Sequence, residues 1–180
     1  LENLRNCITK RVQNAARNSE EVTGPCMANL AWSFGIFNWS EPIVLSLALT
    51  PGQNGSPRIN CMESRHVVSV LWAAAKTNLS SSCLPLWKKL YSQLDSANEQ
   101  CVSNAVWSLV RVVEAGVVEE EQGENSNSEH VLSQKLFGDL WKGLAKRAQT
   151  LCEEKTLNKD FAVSVACSLA TYCDFFEPLY

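Results

Sequence analysis

The side chains with the chemistry to hold a ligand are hydrogen-bonding and cationic groups at helical spacing. Asn29 and Ser33 are four residues apart, as are Asn104 and Ser108, with Arg111 three further on. Ser69 and Lys76 form the same line around Ala73, and Ser164 and Ser168 form it with Thr171. Residues four apart share one face of a helix. Each run therefore carries a stripe of small polar groups, with a base one turn further on in two of the four. Carboxamides and hydroxyls on such a stripe can hydrogen-bond bases or phosphates. A steric reading stands beside this one: small residues are needed wherever neighbouring helices approach closely. A second set of cations is Lys88, Lys89, Lys142, Lys146 and Arg147. These form either a phosphate-contacting ridge or a solvated helix face.

Nucleophilic and acid–base chemistry finds no support. No P-loop, dinucleotide fingerprint, metalloprotease motif or nucleophile elbow occurs in the chain. Glu153 and Glu154, like the carboxylates between 119 and 124, fall in polar segments that read as exposed. His66 and His130 lack ligand spacing, and there is no CxxC. The expectation is a non-enzyme with no metal and no cofactor. Of the eight cysteines, Cys7, Cys152, Cys167 and Cys173 lie in or beside apolar helical runs. Cys26 and Cys101 each precede a tryptophan by six residues. They read as small buried apolar residues in a reducing compartment rather than as a disulfide framework.

The polar stripes belong to a motif that returns along the chain. Asn29-Leu30-Ala31-Trp32-Ser33-Phe34 is echoed by Ser69-Val70-Leu71-Trp72-Ala73-Ala74 and by Asn104-Ala105-Val106-Trp107-Ser108-Leu109. Ser164-Val165-Ala166-Cys167-Ser168-Leu169 is the fourth copy, with cysteine where the others have tryptophan. The anchors at 32, 72, 107 and 167 are separated by 40, 35 and 60 residues. A recurrence in this range marks stacked helical units. The expected fold is therefore all-α, an α-solenoid of antiparallel helical-hairpin repeats with helices alone. Trp32, Trp72 and Trp107 are expected to be buried, stacking at equivalent places between hairpins. An exposed tryptophan row stacking on bases is the functional alternative.

Residues 1–22 read as the second helix of a preceding repeat, with Leu4, Ile8, Val12 and Ala15 at helical spacing. Repeat 1 spans 23–60, with helices at 26–37 and 41–50. Ser40 is its expected cap and Pro42 lies in the first turn. Repeat 2 spans 61–98, with helices at 64–77 and 83–94; Ser82 is the expected cap and Pro85 sits near the start. Repeat 3 spans 99–159, with helices at 99–115 and 131–152 around an inserted acidic loop at 117–130. Leu140-Trp141-Lys142-Gly143-Leu144 there matches Leu86-Trp87-Lys88-Lys89-Leu90 in repeat 2. Residues 160–180 begin repeat 4, with a helix at 160–174 and another expected from 178. Neither end offers a polar cap, and the chain opens on Leu1. It is expected to be part of something longer, its ends covered by more chain or a partner.

The 180 residues are 46% apolar and 19% charged, which fits a folded protein. The net charge of −3 argues against a nucleic-acid surface over the whole chain. The acid is concentrated at 119–124, however, which leaves the helical array nearly neutral to basic. No apolar run is long enough to span a membrane.

The Asn-x-x-Trp-Ser core at Asn29 to Ser33 and at Asn104 to Ser108 resembles the first-helix signature of the octotricopeptide and heptatricopeptide repeats. These occur in organellar RNA-binding proteins of algae and parasitic protists, often beside a RAP domain, which this chain lacks. The resemblance covers about residues 26–180. It implies a mitochondrial protein, or alternatively a plastid one, that binds RNA. With Cys167 in place of tryptophan and a long insertion in the third unit, the pattern fits a structural subunit. The implied role is to brace ribosomal RNA among other protein subunits of a mitochondrial ribosome. The alternative is a protein–protein interaction scaffold of the HEAT or tetratricopeptide kind, without RNA contact.

Overall fold

Local capping chemistry sets where each anchor helix begins and ends. The computed structural model describes residues 2–18, 22–52, 54–79, 83–115, 118–119, 132–154 and 158–176. Helix α1 spans Glu2–Arg17. Helix α2 spans Gly24–Ile36; Thr23 caps it by accepting from the Cys26 N–H at 3.4 Å, with proline in its first turn. Helix α3 spans Ile43–Leu49. Helix α4 spans Ser64–Lys76 behind a reciprocal capping box, in which the Glu63 N–H donates to Nδ1 of His66 at 3.3 Å. Helix α5 spans Leu84–Tyr91, again with proline in the first turn. Helix α6 spans Glu99–Glu114, capped by Asn98 Oδ1, which accepts from the Cys101 N–H at 2.9 Å. Helix α7 spans Gln134–Glu153 and α8 spans Lys159–Phe176.

The ends of α2 and α4 are alike. Asn38 and Asn78 take the left-handed conformation at φ 52° and 58°. The N–H groups of Trp39 and Leu79 then reach back to the carbonyls of Phe34 and Ala74, each at 2.8 Å. This is a helix stop in which asparagine tolerates the positive φ. Both asparagines stand six residues after a repeat tryptophan.

The helices pack in two rows. In one, α2 lies against α4, α4 against α6 and α6 against α8. In the other, α1 lies against α3 and α5 against α7, with a 3-10 turn at Arg58–Cys61 touching both α3 and α5. Each anchor helix also meets the helix that follows it: α2 with α3, α4 with α5, and α6 with α7. The core lies between the rows, where Val67, Val70, Leu86, Leu90, Val102, Ala105, Leu109 and Leu140 have essentially no exposure. Trp87 is the largest fully buried side chain. Gly143 of α7 is a point of close approach, because a Cβ there would collide with Leu94. At the other end Arg5 ties α1 to the α3 hairpin through an ion pair with Glu41.

The described chain is all-α apart from one short pairing, and the helix positions follow the expected pattern closely. Four details differ. First, Val118–Glu119 (β1) and Leu132–Ser133 (β2) form a two-residue parallel pair at the base of the insertion, where a loop and a helix start were expected. The seventh helix accordingly begins at Gln134 rather than 131. Second, Ser40 does not cap α3. Its hydroxyl donates to the Thr77 carbonyl at 3.0 Å and so links the first hairpin to the end of α4. Third, the cysteines are not uniformly buried: Cys83 and Cys101 are, while Cys7, Cys26, Cys61, Cys152 and Cys167 are exposed. Fourth, the three repeat tryptophans are not core residues, as described below. The expected cap Ser82, most of the 117–130 loop and the helix from 178 lie outside the described residues.

Trp87→Ala should destabilise the fold by about 3–5 kcal/mol, read as a shift in the urea midpoint at constant slope. Burial pushes the Cys83 thiol up to about 12 and raises that of Cys101 as well. The reactive thiolate is therefore suppressed at both. Alkylation followed by peptide mass spectrometry should label Cys7, Cys26, Cys61 and Cys152 in the native protein. Cys83 and Cys101 should react only after denaturant is added; rapid native labelling of Cys83 would contradict this core.

Candidate functional site

The solvent face of the anchor row carries rings, carboxamides and cations in register. Trp32 and Trp72 stack with centroids 4.1 Å apart and planes inclined by 24°. Trp72 and Trp107 continue the contact at 6.2 Å and 37°. The tryptophans thus do stack along successive helices, but at the surface. Trp32 is 37% exposed, and Trp72 and Trp107 are half-buried. The reason is helix geometry. The apolar side of α4 facing the core is filled by Val67, Val70, Leu71 and Ala74, which leaves Trp72 on the flank toward α2. There its ring lies over Gly35, where a Cβ would come within 2.6 Å of Cζ3. Glycine is needed at that position of α2 for the ring to sit down. Cys167 holds the fourth place, so the ladder of rings ends at α6.

Three residues before each ring stand Asn29, Ser69 and Asn104; seven before stand Pro25, Arg65 and Gln100; four after stand Ile36, Lys76 and Arg111. Each of these sets lies on or near the same helix face as the rings. Nζ of Lys76 is 5.9 Å from the Trp72 centroid, and the Arg111 guanidinium is 5.6 Å from that of Trp107. Both cations are thus held over ring faces. Arg111 also pairs with Glu114 at 2.6 Å.

Asn29, Trp32, Ser69 and Asn104 line one open groove of about 420 Å³, together with Arg65, Asn98, Gln100 and Cys101. The groove crosses α2, α4 and α6. Arg65, Asn98 and Gln100 were not singled out from sequence. The signal was present, since Arg65 and Gln100 lie two turns ahead of Trp72 and Trp107. A second cleft of about 450 Å³ lies at the starts of α2 and α4, lined by Thr23, Gly24, Arg58, Glu63 and His66 among others. Burial, and then the neighbouring Arg65, lowers the His66 pKa. Lowering favours the neutral ring that accepts the capping hydrogen bond.

The serines divide from the carboxamides. The hydroxyls of Ser33, Ser69 and Ser108 donate to carbonyls of their own helix, at Asn29, Arg65 and Asn104, within 2.6–2.9 Å. Ser108 and Ser168 are buried, and Ser164 bonds Ser103 across the α6–α8 contact at 2.8 Å. Ser108, Ser164 and Ser168 therefore serve the close approach of helices. The second basic set stands on α5 and α7 and lines neither cleft. Lys88, Lys142 and Lys146 are exposed. Lys89 donates to the Asn60 carbonyl at 3.2 Å. Arg147 donates to the Ala97 carbonyl at 2.8 Å and lies 3.9 Å from Glu154. These last two tether the chain between units.

No family model, curated protein or solved structure matches this chain. Among the described residues no helix is long and apolar enough to cross a membrane.

The ring ladder gives a direct test. Gly35→Val should push Trp72 off Trp32 and abolish the exciton signal of the stacked indoles in circular dichroism, with helix content retained. Trp32→Ala should cost only about 1–2 kcal/mol, since the ring is partly exposed and its stacking is the main loss.

Proposed function

We propose that the chain is an α-solenoid of helical-hairpin repeats that binds single-stranded RNA along the tryptophan face of its anchor row. The observation that carries this reading is the in-register set of Trp32, Trp72 and Trp107 with Lys76 and Arg111 beside them and the polar groove alongside. Single-strand binders combine flat aromatic surfaces with cations that track the backbone. The spacing of the rings limits how bases meet them. Trp32 and Trp72 already touch, so no base inserts between them. Bases lie instead against ring edges and on the outer face of Trp32, while phosphates meet Arg65, Lys76 and Arg111. Few phosphate contacts mean modest affinity and modest sequence selection.

The repeat resemblance at Asn29 to Ser33 and Asn104 to Ser108 supports the reading of a mitochondrial structural subunit that braces ribosomal RNA. The chain carries no cofactor and performs no catalysis in this reading. A scaffold role toward protein is the second reading. It is favoured by the apolar group at the end of α2, where Ile36 is 58% exposed and Phe37, stacked on Trp39, is 50% exposed.

Fluorescence anisotropy with a labelled unstructured RNA decides between them. Binding is expected at low salt and should weaken as salt rises. Lys76→Gln with Arg111→Gln should weaken it about tenfold and flatten the salt dependence. Unmeasurable affinity at low salt, or affinity unchanged by the double replacement, would leave the scaffold reading.

A further inference from the structure

We propose that copies of this chain stack head to tail, with the outer flank of α8 in one copy seated against the outer flank of α2 in the next. The anchor row itself shows how such a junction is made, because α4, α6 and α8 each lay one flank on the anchor helix before them. A Cβ on Gly24 of α2 would lie 2.9 Å from Nδ1 of His66, and one on Gly35 would lie 3.3 Å from Cα of Ala73. Between α6 and α8 the contact is Ser103 to Ser164 at 2.8 Å. Positions can be counted from the tryptophan of each helix, with Cys167 in that place in α8. The front flank then holds the residues six before, three before and one after. The back flank that receives them holds the residues eight before, four before and three after.

At the two ends of the row the same positions lie open among the described residues. Six before the anchor, His66 and Cys101 are buried, whereas Cys26 of α2 is exposed. One after it, Ala73, Ser108 and Ser168 are buried, whereas Ser33 is exposed. Five after it, Thr77 and Val112 are buried, whereas Phe37 is not. The back flank fails to close at the other end. Four before the anchor, Ala28, Val68 and Ser103 are buried, but Val163 of α8 is 62% exposed. One before it, Ala31, Leu71 and Val106 are buried, but Ala166 is exposed.

The open front of α2 and the open back of α8 are thus the two halves of one interface that the chain already builds three times. Continuity of that interface names a second copy as the occupant. None of Cys26, Ser33, Phe37, Val163 and Ala166 is charged, so the flanks can meet without desolvating an ion. The second row agrees. Among the described residues α8 is followed by no helix, while α1 stands beside α3 ahead of the first hairpin. In a head-to-tail stack, α1 of one copy takes the place next to α8 of the other and completes its hairpin. The two surfaces differ, so the junction is heterologous and repeats from copy to copy instead of closing about a two-fold axis. It stands independently of the RNA reading.

Sedimentation velocity of the RNA-free chain over a range of protein concentrations tests the junction. Species larger than the monomer should grow in with concentration. Ser33→Arg blocks the flank of α2 and Val163→Arg blocks that of α8, each at a side chain exposed in the single copy. Circular dichroism and melting temperature establish that both fold, and Cys26→Arg is a second block of the α2 flank should Ser33→Arg melt early. Each variant alone should be monomeric, its association weakened at least about a hundredfold by the unpaired charge. Mixed in equal amounts, the two should form a dimer and nothing longer, since one open flank of each kind remains. A native chain that stays monomeric at every concentration would overturn the proposal. Variants that still associate alone would overturn it too, and so would a mixture of the two that remains monomeric.

Discussion

The structure depends on how closely neighbouring anchor helices can approach. Trp72 settles onto Gly35 because that position has no Cβ, and the same contact brings its ring to 4.1 Å from Trp32. On the core side, Val67, Val68, Val70 and Ala74 fill the space without forcing the helices apart. Between α6 and α8 the approach is managed by serines, with Ser103 and Ser164 hydrogen-bonded across the gap and Ser168 buried beside it. Closeness at this interface is what creates the continuous outer surface. Were the helices held apart by larger residues, the rings would be isolated and the groove would split into separate furrows.

Polar groups on that surface follow from the same constraint. A hydroxyl is small enough for the contact zone and returns its hydrogen bond to its own helix, so burial costs little. A carboxamide is too long to do so from the same position. Asn29 and Asn104 therefore stay at the solvent edge with their bonding capacity unspent, whereas Ser108 does not. The two residue types share a stripe in the sequence and have different work in the fold.

Much of the architecture was legible in the sequence because it is written locally. Pro85 marks the start of α5 as expected, and Thr23, Asn98, Asn38 and Asn78, not named from sequence, mark other helix ends by the same short-range chemistry. What was not legible depended on contacts across units. Ser40 reads as a cap for its own helix, yet its partner is Thr77, a residue 37 positions away. The tryptophans read as core because they are large and recur in apolar runs. Their actual place is decided by which flank of α4 faces α2, and periodicity alone does not specify that. Arg65 and Gln100 escaped notice because each is unremarkable in its own helix and gains meaning only beside Asn29 and Asn104. For Arg147 the difficulty was the reverse: a cation that reads as either a phosphate contact or a solvated group donates its Nε–H to the Ala97 carbonyl.

The two-residue pairing of β1 with β2 has a topological consequence. Its strands run parallel, with Val118 opposite Leu132 and Glu119 opposite Ser133. The pairing thus holds 118–119 and 132–133 side by side against α7, two fixed points set by backbone hydrogen bonds. Lengthening a chain between two fixed points costs free energy only logarithmically. With both points held by the fold, sequence added or exchanged between them should disturb the packed helices little, which makes the pair a natural port for grafting a new segment.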